Sequence, residues 1–295
     1  MCANKLKFLE MVDIGPDATR GRGQEAELHM VRRLCDVFLA VLVLLVGLGL
    51  EPVGVWAGAP VLPATVVARF PHDAEAFTQG LLFHDGALYE STGLYGRSSL
   101  RRLVPDTGHV LARRNLPREI FGEGLALVGD RLYQLSWKEG RVLVWRVTDF
   151  APVGEFPLEG EGWGVCVLSG RLVVSDGSDQ LCFYDPANFT KDRCLTVTDD
   201  GRPVTLLNEL ETVSGTIWAN VWGSDRIAVI DPATGQVLAW VDCAALVAEA
   251  AGGNRENVLN GIAWDPVTGR IWVTGKRWSE IFVIKVPGLP AGGTR

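Results

Sequence analysis

One carboxyl side chain, Glu123, occupies a position whose counterparts elsewhere in the chain are amides or an indole. Five quartets each stand at the head of an apolar stretch: Phe77-Thr78-Gln79-Gly80, Phe121-Gly122-Glu123-Gly124, Glu161-Gly162-Trp163-Gly164, Leu206-Leu207-Asn208-Glu209 and Val258-Leu259-Asn260-Gly261. Their third residues are Gln79, Glu123, Trp163, Asn208 and Asn260. Gathered in one place, this set offers one titratable group among hydrogen-bonding amides and an indole. A lone carboxyl can carry a proton between two atoms of one small substrate, and an apolar wall raises its affinity for that proton.

A repeat must bring these residues together. From the fourth residue of each quartet to the next, the intervals are 44, 40, 45 and 52 residues. A period in the forties, filled with short strands and Gly-rich turns, is the signature of a β-propeller blade. The spacing therefore predicts an all-β, five-bladed β-propeller, in which equivalent points of the innermost strands converge on one mouth of the central channel.

The expected strands are short, β-branched or apolar, and bounded by Gly, Pro or Asp. Blade one is predicted at 80–83, 87–91, 98–103 and 109–114, and blade two at 125–128, 131–135, 142–147 and 153–157. Blade three takes 165–168, 171–175, 180–184 and 193–197, and blade four 211–214, 216–220, 226–230 and 237–241. Blade five has only 262–264, 270–274 and 281–286. The apolar run 64–70 is expected to supply its outer strand and close the ring, since closure removes exposed sheet edges. The Ala-rich segment 244–251 reads as helical and lengthens the last interval.

The second strands return to the mouth that the first strands leave. Their ends carry Glu90-Ser91-Thr92-Gly93, Ser136-Trp137-Lys138, Ser175-Asp176-Gly177-Ser178, Asn220-Val221-Trp222 and Gly275-Lys276-Arg277-Trp278. Any one Trp here reads first as a packing wedge between blades. Three tryptophans at the level of Glu123, Trp137 and Trp222 from these ends and Trp163 from its quartet, point to a pocket. For Lys276 the alternatives are an oxyanion-stabilising charge beside Glu123 and an ion pair with Glu90 or Asp176.

The strings Phe-Thr-Gln-Gly at 77–80, Glu-Ser-Thr-Gly-Leu-Tyr-Gly at 90–96, Phe-Gly-Glu-Gly-Leu at 121–125, Gly-Glu-Gly-Trp-Gly at 160–164, Leu-Asn-Glu-Leu-Glu at 207–211, Trp-Ala-Asn-Val-Trp at 218–222, Leu-Asn-Gly-Ile-Ala-Trp at 259–264 and Val-Thr-Gly-Lys at 273–276 resemble the plant and bacterial, papaya-type glutaminyl-peptide cyclotransferases. The resemblance spans about 64–286, in order, through all five blades. It implies an aminoacyltransferase that converts the N-terminal glutamine of peptides or proteins to pyroglutamate with loss of ammonia. It places the acid/base carboxylate on Glu123 and substrate contacts on Phe77, Gln79, Phe121, Trp137, Trp163, Asn208, Trp222 and Lys276. No cofactor and no metal are expected, and turnover should survive strong chelation. His72, His84 and His109 show no ligand spacing, in keeping with a fold distinct from the zinc-dependent animal enzymes.

Two other readings compete. An exported, non-catalytic propeller that serves as a binding module requires no convergent carboxylate. A calcium-dependent lactonase-type propeller requires several Asp, Glu and Asn ligands at the axis, where this chain also places tryptophans.

The 295 residues, 47% hydrophobic and 21% charged, suit one globular domain over 60–290. A net charge of −7 argues against a nucleic-acid surface. Residues 1–59 form an N-terminal extension. Within it, Arg32 and Arg33 precede the uncharged run 37–50, and Ala57-Gly58-Ala59 follows. A run this short falls below the roughly 20 apolar residues of a spanning helix. It reads as a secretory signal, either cleaved or retained as a membrane anchor, since Pro60 hinders cleavage. Met30 is a second candidate for the start. The expected location is periplasmic or secreted, and the expected state a monomer. Cys182 and Cys194 flank the turn at 185–188, either bridged across a hairpin or as two buried thiols.

Overall fold

The computed structural model describes residues 58–289. Four antiparallel four-stranded sheets follow one another in meander order: 78–115, 122–157, 165–196 and, within a sheet of five, 207–242. A further sheet combines Leu259–Trp264, Ile271–Gly275 and Glu280–Lys285 with Thr65–Pro71, which lies at its outer edge, antiparallel to Glu280–Lys285. The arrangement is a five-bladed β-propeller with one short helix, Ala244–Ala250. The extension 1–59, on which the expected signal segment or anchor falls, lies outside the described residues except for 58 and 59. Among the described residues no helix is long and apolar enough to cross a membrane.

Burial explains why the strands read as they do. Second and third strands such as Ala87–Thr92 and Arg141–Arg146 are buried on both faces, because each blade is sandwiched between two others. Their sequences are accordingly near-continuous apolar runs. Outer strands are different: Val110–Asn115 alternates, and Pro152–Pro157 is mostly exposed. Five apolar clusters fill the spaces between consecutive blades. The one formed by Leu81, Leu88 and Leu103 with Ala263, Trp272, Ile281 and Val283 joins blade five to blade one.

Near the axis the blades touch through backbone. A Cβ on Gly80 would stand 2.5 Å from the Leu125 nitrogen, and one on Gly164 only 1.9 Å from the Asn208 oxygen. Glycine in the fourth quartet position is what permits that approach. Blade four has Glu209 there instead. Its buried carboxylate accepts from the Leu81 N–H at 3.2 Å and the Ile262 N–H at 2.9 Å, tying blades one and five to blade four.

The structure departs from the predicted strands at the quartets. In blades one, two, four and five the inner strand begins inside the quartet, at Thr78, Gly122, Leu207 and Leu259, and each carries a register shift there. A bulge sets two residues against one and re-aims the side chains, so the third quartet residue escapes the plain alternation of the strand. Two small elements were not foreseen: Val61–Pro63, parallel to Val237–Asp242, and the hairpin Thr198–Asp199 with Arg202–Pro203. Asp199 connects them, accepting from the Ala59 N–H and from Trp240 Nε1, both at 2.8 Å.

Cys182 and Cys194 face each other in adjacent strands and form a disulfide. Of the two cysteine readings, the bridge is the one the structure takes. Cys166 and Cys243 are free and buried.

Candidate active site

Three of the five third quartet residues, Gln79, Glu123 and Asn260, are linked through their side chains. Gln79 Nε2 donates to Glu123 Oε1 at 2.8 Å, across the boundary between blades one and two. Asn260 Nδ2, from blade five, donates to the Thr78 carbonyl at 2.9 Å and to Gln79 Oε1 at 3.2 Å. The Gln79 amide thus has its orientation fixed from behind, with its N–H₂ presented to the carboxyl. Glu123 is only 4% exposed. Burial drives its proton affinity well above that of an ordinary carboxyl, and Glu139 and Glu161 add to this; the Lys276 charge and the Gln79 hydrogen bond pull the other way.

Lys276 is also buried, and burial lowers its pKa against the opposing attraction of Glu123 and Glu256. Its Nζ lies 4.8 Å from the centre of the Phe77 ring, a cation–π distance. The anticipated alternative partners are engaged elsewhere. Glu90 is held by His72 at 3.0 Å and by the Thr78 hydroxyl at 2.7 Å, with Arg101 at 3.7 Å, and Asp176 accepts from Ser178.

An arc of aromatic rings lines the mouth. Phe77 meets Phe121 edge-on at 6.1 Å between centroids, Phe121 lies 5.3 Å from Tyr95 and 5.5 Å from Trp137. Beside Trp137 stands Trp163, whose indole covers Gly177. A Cβ there would meet the ring at 2.7 Å, and Gly177 has a φ of +84°, so glycine is required twice over. Glu161 Oε2 accepts from both Trp137 Nε1, at 2.8 Å, and Trp163 Nε1, at 3.0 Å. Glu139 accepts from the Tyr95 hydroxyl at 2.7 Å and the Phe121 N–H at 3.2 Å.

Asn208 and Asn260 each bury a side-chain carbonyl oxygen without a hydrogen-bond partner. Buried acceptors of that kind are costly when idle, and both stand at third quartet positions, as Glu123 does. Trp222 sits differently: it is 45% exposed and overhangs a cleft of about 390 Å³ lined by Val247, Arg255 and Val258. Trp278, by contrast, is wholly buried as a wedge, its Nε1 donating to the Asn257 carbonyl at 2.8 Å. Sequence reasoning passed over Tyr95, Glu139 and Glu161 as site residues. The nearest signal was Glu161 standing two residues before Trp163 within one quartet. Among the described residues, no group of three or more His, Cys, Asp or Glu side chains is arranged to hold a metal ion.

A family model described as glutamine cyclotransferase matches residues 40–286. The chain is 41% identical over 225 residues to the glutaminyl-peptide cyclotransferase of Arabidopsis thaliana, covering 75% of this chain and 70% of that one. The crystal structure of Myxococcus xanthus glutaminyl cyclase superposes with a TM-score of 0.74 at 41% identity, over 77% of this chain and 98% of that one. The chain therefore belongs to the glutamine cyclotransferase family.

Proposed function

We propose that this protein is a glutaminyl-peptide cyclotransferase in which Glu123 is the single acid/base group. The observation that carries the reading is a buried carboxyl of raised proton affinity, oriented by Gln79, inside an aromatic mouth of a family member.

The substrate's α-amine attacks the γ-carboxamide carbon, forming the ring C–N bond. Glu123 takes a proton from the attacking nitrogen and returns it to the carboxamide nitrogen, whose bond to carbon then breaks to release ammonia. Both nitrogens flank one carbon of the same small ring, so one carboxyl reaches both. Proton shuttling of this type contributes about 10²–10⁴-fold. Lys276 opposes the charge that develops on the carboxamide oxygen. The idle oxygens of Asn208 and Asn260 accept N–H groups of the substrate. The aromatic arc holds the glutaminyl chain folded, and such positioning is worth roughly 7–11 kcal/mol in favourable cases.

The same reading extends to location. Arg32, Arg33 and the uncharged run behind them support export to a periplasmic or extracellular compartment, and the Cys182–Cys194 bridge suits an oxidising one.

The test is incubation of the purified protein with a peptide bearing N-terminal glutamine, following ammonia release and the pyroglutamyl product by mass. Neither ammonia nor product at micromolar enzyme would refute the assignment.

A further inference from the structure

Resting on that function, we propose that Glu161 is a positioning residue for cyclisation, fixing Trp137 and Trp163 as one wall through a single carboxylate oxygen. The two indoles come from different blades. Trp137 follows the second strand of blade two, and Trp163 precedes the first strand of blade three. Nothing in the sheets themselves links the two rings, because each blade's ladder is internal to it.

Glu161 Oε2 makes that link, receiving both indole N–H groups at 2.8 and 3.0 Å. The other oxygen, Oε1, faces Lys138 Nζ at 3.6 Å, and that ammonium in turn lies 4.0 Å from the centre of the Trp137 ring. The backbone repeats the connection, since Gly162 N–H donates to the Trp137 carbonyl at 3.0 Å. With both N–H edges turned to one oxygen, neither ring can swing about its χ angles without breaking a charge-assisted hydrogen bond. Partial burial works against ionisation of Glu161, but the indole hydrogen bonds and Lys138 outweigh it and hold the carboxyl below its usual range. The brace is therefore a full carboxylate at neutral pH. Glu161 touches the rings and not the reacting atoms; its charge also raises the proton affinity of Glu123, and glutamine in its place removes that charge while keeping the brace.

The experiment compares Glu161→Ala and Glu161→Gln with the unmodified protein. A glutamine carbonyl can still accept both indole N–H groups, whereas alanine accepts neither. Glu161→Ala should raise KM for a glutaminyl dipeptide about 10-fold or more, with a smaller fall in kcat, and flatten the near-ultraviolet circular dichroism of the indoles. Glu161→Gln should recover both to within about 3-fold of the parent. If the two variants lose activity equally, the carboxylate acts by its charge and the brace is overturned. Unchanged kinetics and dichroism in Glu161→Ala, even with a lower Tm, also overturn it. The side chain is partly exposed, so neither variant threatens the core. An unmodified protein that releases no ammonia would defeat the functional reading, while the dichroism comparison would still decide whether Glu161 holds the rings.

Discussion

Gln79 donates to Glu123 across the seam between blades one and two, and Asn260 of blade five donates to Gln79 in turn. The orientation of the Glu123 carboxyl is thus set by three blades, none of which could fix it alone. Four of the five quartets place a bulge at this level, which takes their third residues out of the plain strand alternation. A carboxyl so fixed is preorganised for the two proton transfers proposed for it.

Glu123→Gln keeps the size of the side chain and most of its hydrogen-bonding capacity but cannot carry a proton. Turnover should fall by about 10²-fold or more with KM little changed and Tm near the parent's. Steady-state kinetics and a melting curve on the same preparation check this. A folded variant with near-native kcat would remove Glu123 from the mechanism.

The pH profile carries a second prediction. Because the Glu123 pKa is raised, its base form is lost at a higher pH than an ordinary carboxylate's, and the acid limb of kcat should lie correspondingly high. The Lys276 charge holds that pKa down. Lys276→Met should therefore move the acid limb of kcat further up in pH, besides lowering its height. A limb that stays in place would mean that Lys276 does not sense Glu123.

How far the sequence reveals all this depends on the residue. The blade period, the four-strand meander and the convergence of Gln79 with Glu123 follow from the quartets, since spacing alone puts equivalent residues at one level of the channel. The quartets' own bulges do not, because a two-against-one pairing leaves no trace in an apolar alternation. Trp278 and Trp163 look alike in the chain, and only packing tells the wholly buried wedge from the half-buried wall. His72 was read only for metal-ligand spacing. Its partner Glu90 is eighteen residues away, inside the strand Ala87–Thr92, a distance at which local pattern says nothing.

Glu209 replaces an axial glycine and bonds two backbone N–H groups from blades one and five. Glu209→Ala would leave both buried and unpaired, at about 1–3 kcal/mol each. Chemical denaturation should show a loss of roughly 2–6 kcal/mol, and Glu209→Gln, which keeps one acceptor, a smaller one. A Glu209→Ala protein as stable as the parent would show that the N–H groups find other partners.

The last prediction concerns the buried pair His72 and Glu90. His72 Nδ1 faces the Trp278 carbonyl at 2.9 Å and Nε2 faces the Glu90 carboxylate at 3.0 Å, so both ring nitrogens meet acceptors and the imidazolium satisfies both. Burial alone would lower the His72 pKa, but the charge and hydrogen bond of Glu90, the Trp278 carbonyl and Asp73 together raise it above 6.5. For Glu90, burial is likewise outweighed, by His72, Arg101 and Thr78, and its pKa falls below 4.5. A raised histidine stabilises the fold fully below its unfolded value and loses that contribution as pH climbs through its folded one; a depressed carboxylate does the reverse. The pair is therefore at full strength between about 4.5 and 6.5, and Tm should decline as pH rises beyond that window. His72→Gln should lower stability at pH 6 by about 3 kcal/mol, leaving Glu90 buried with Arg101 as its remaining charge partner. Tm measured against pH for both proteins decides the matter: the gap between them must narrow as pH rises through the folded pKa of His72. A gap constant from pH 6 to 9 would mean that the histidine is neutral and the pair owes nothing to its charge.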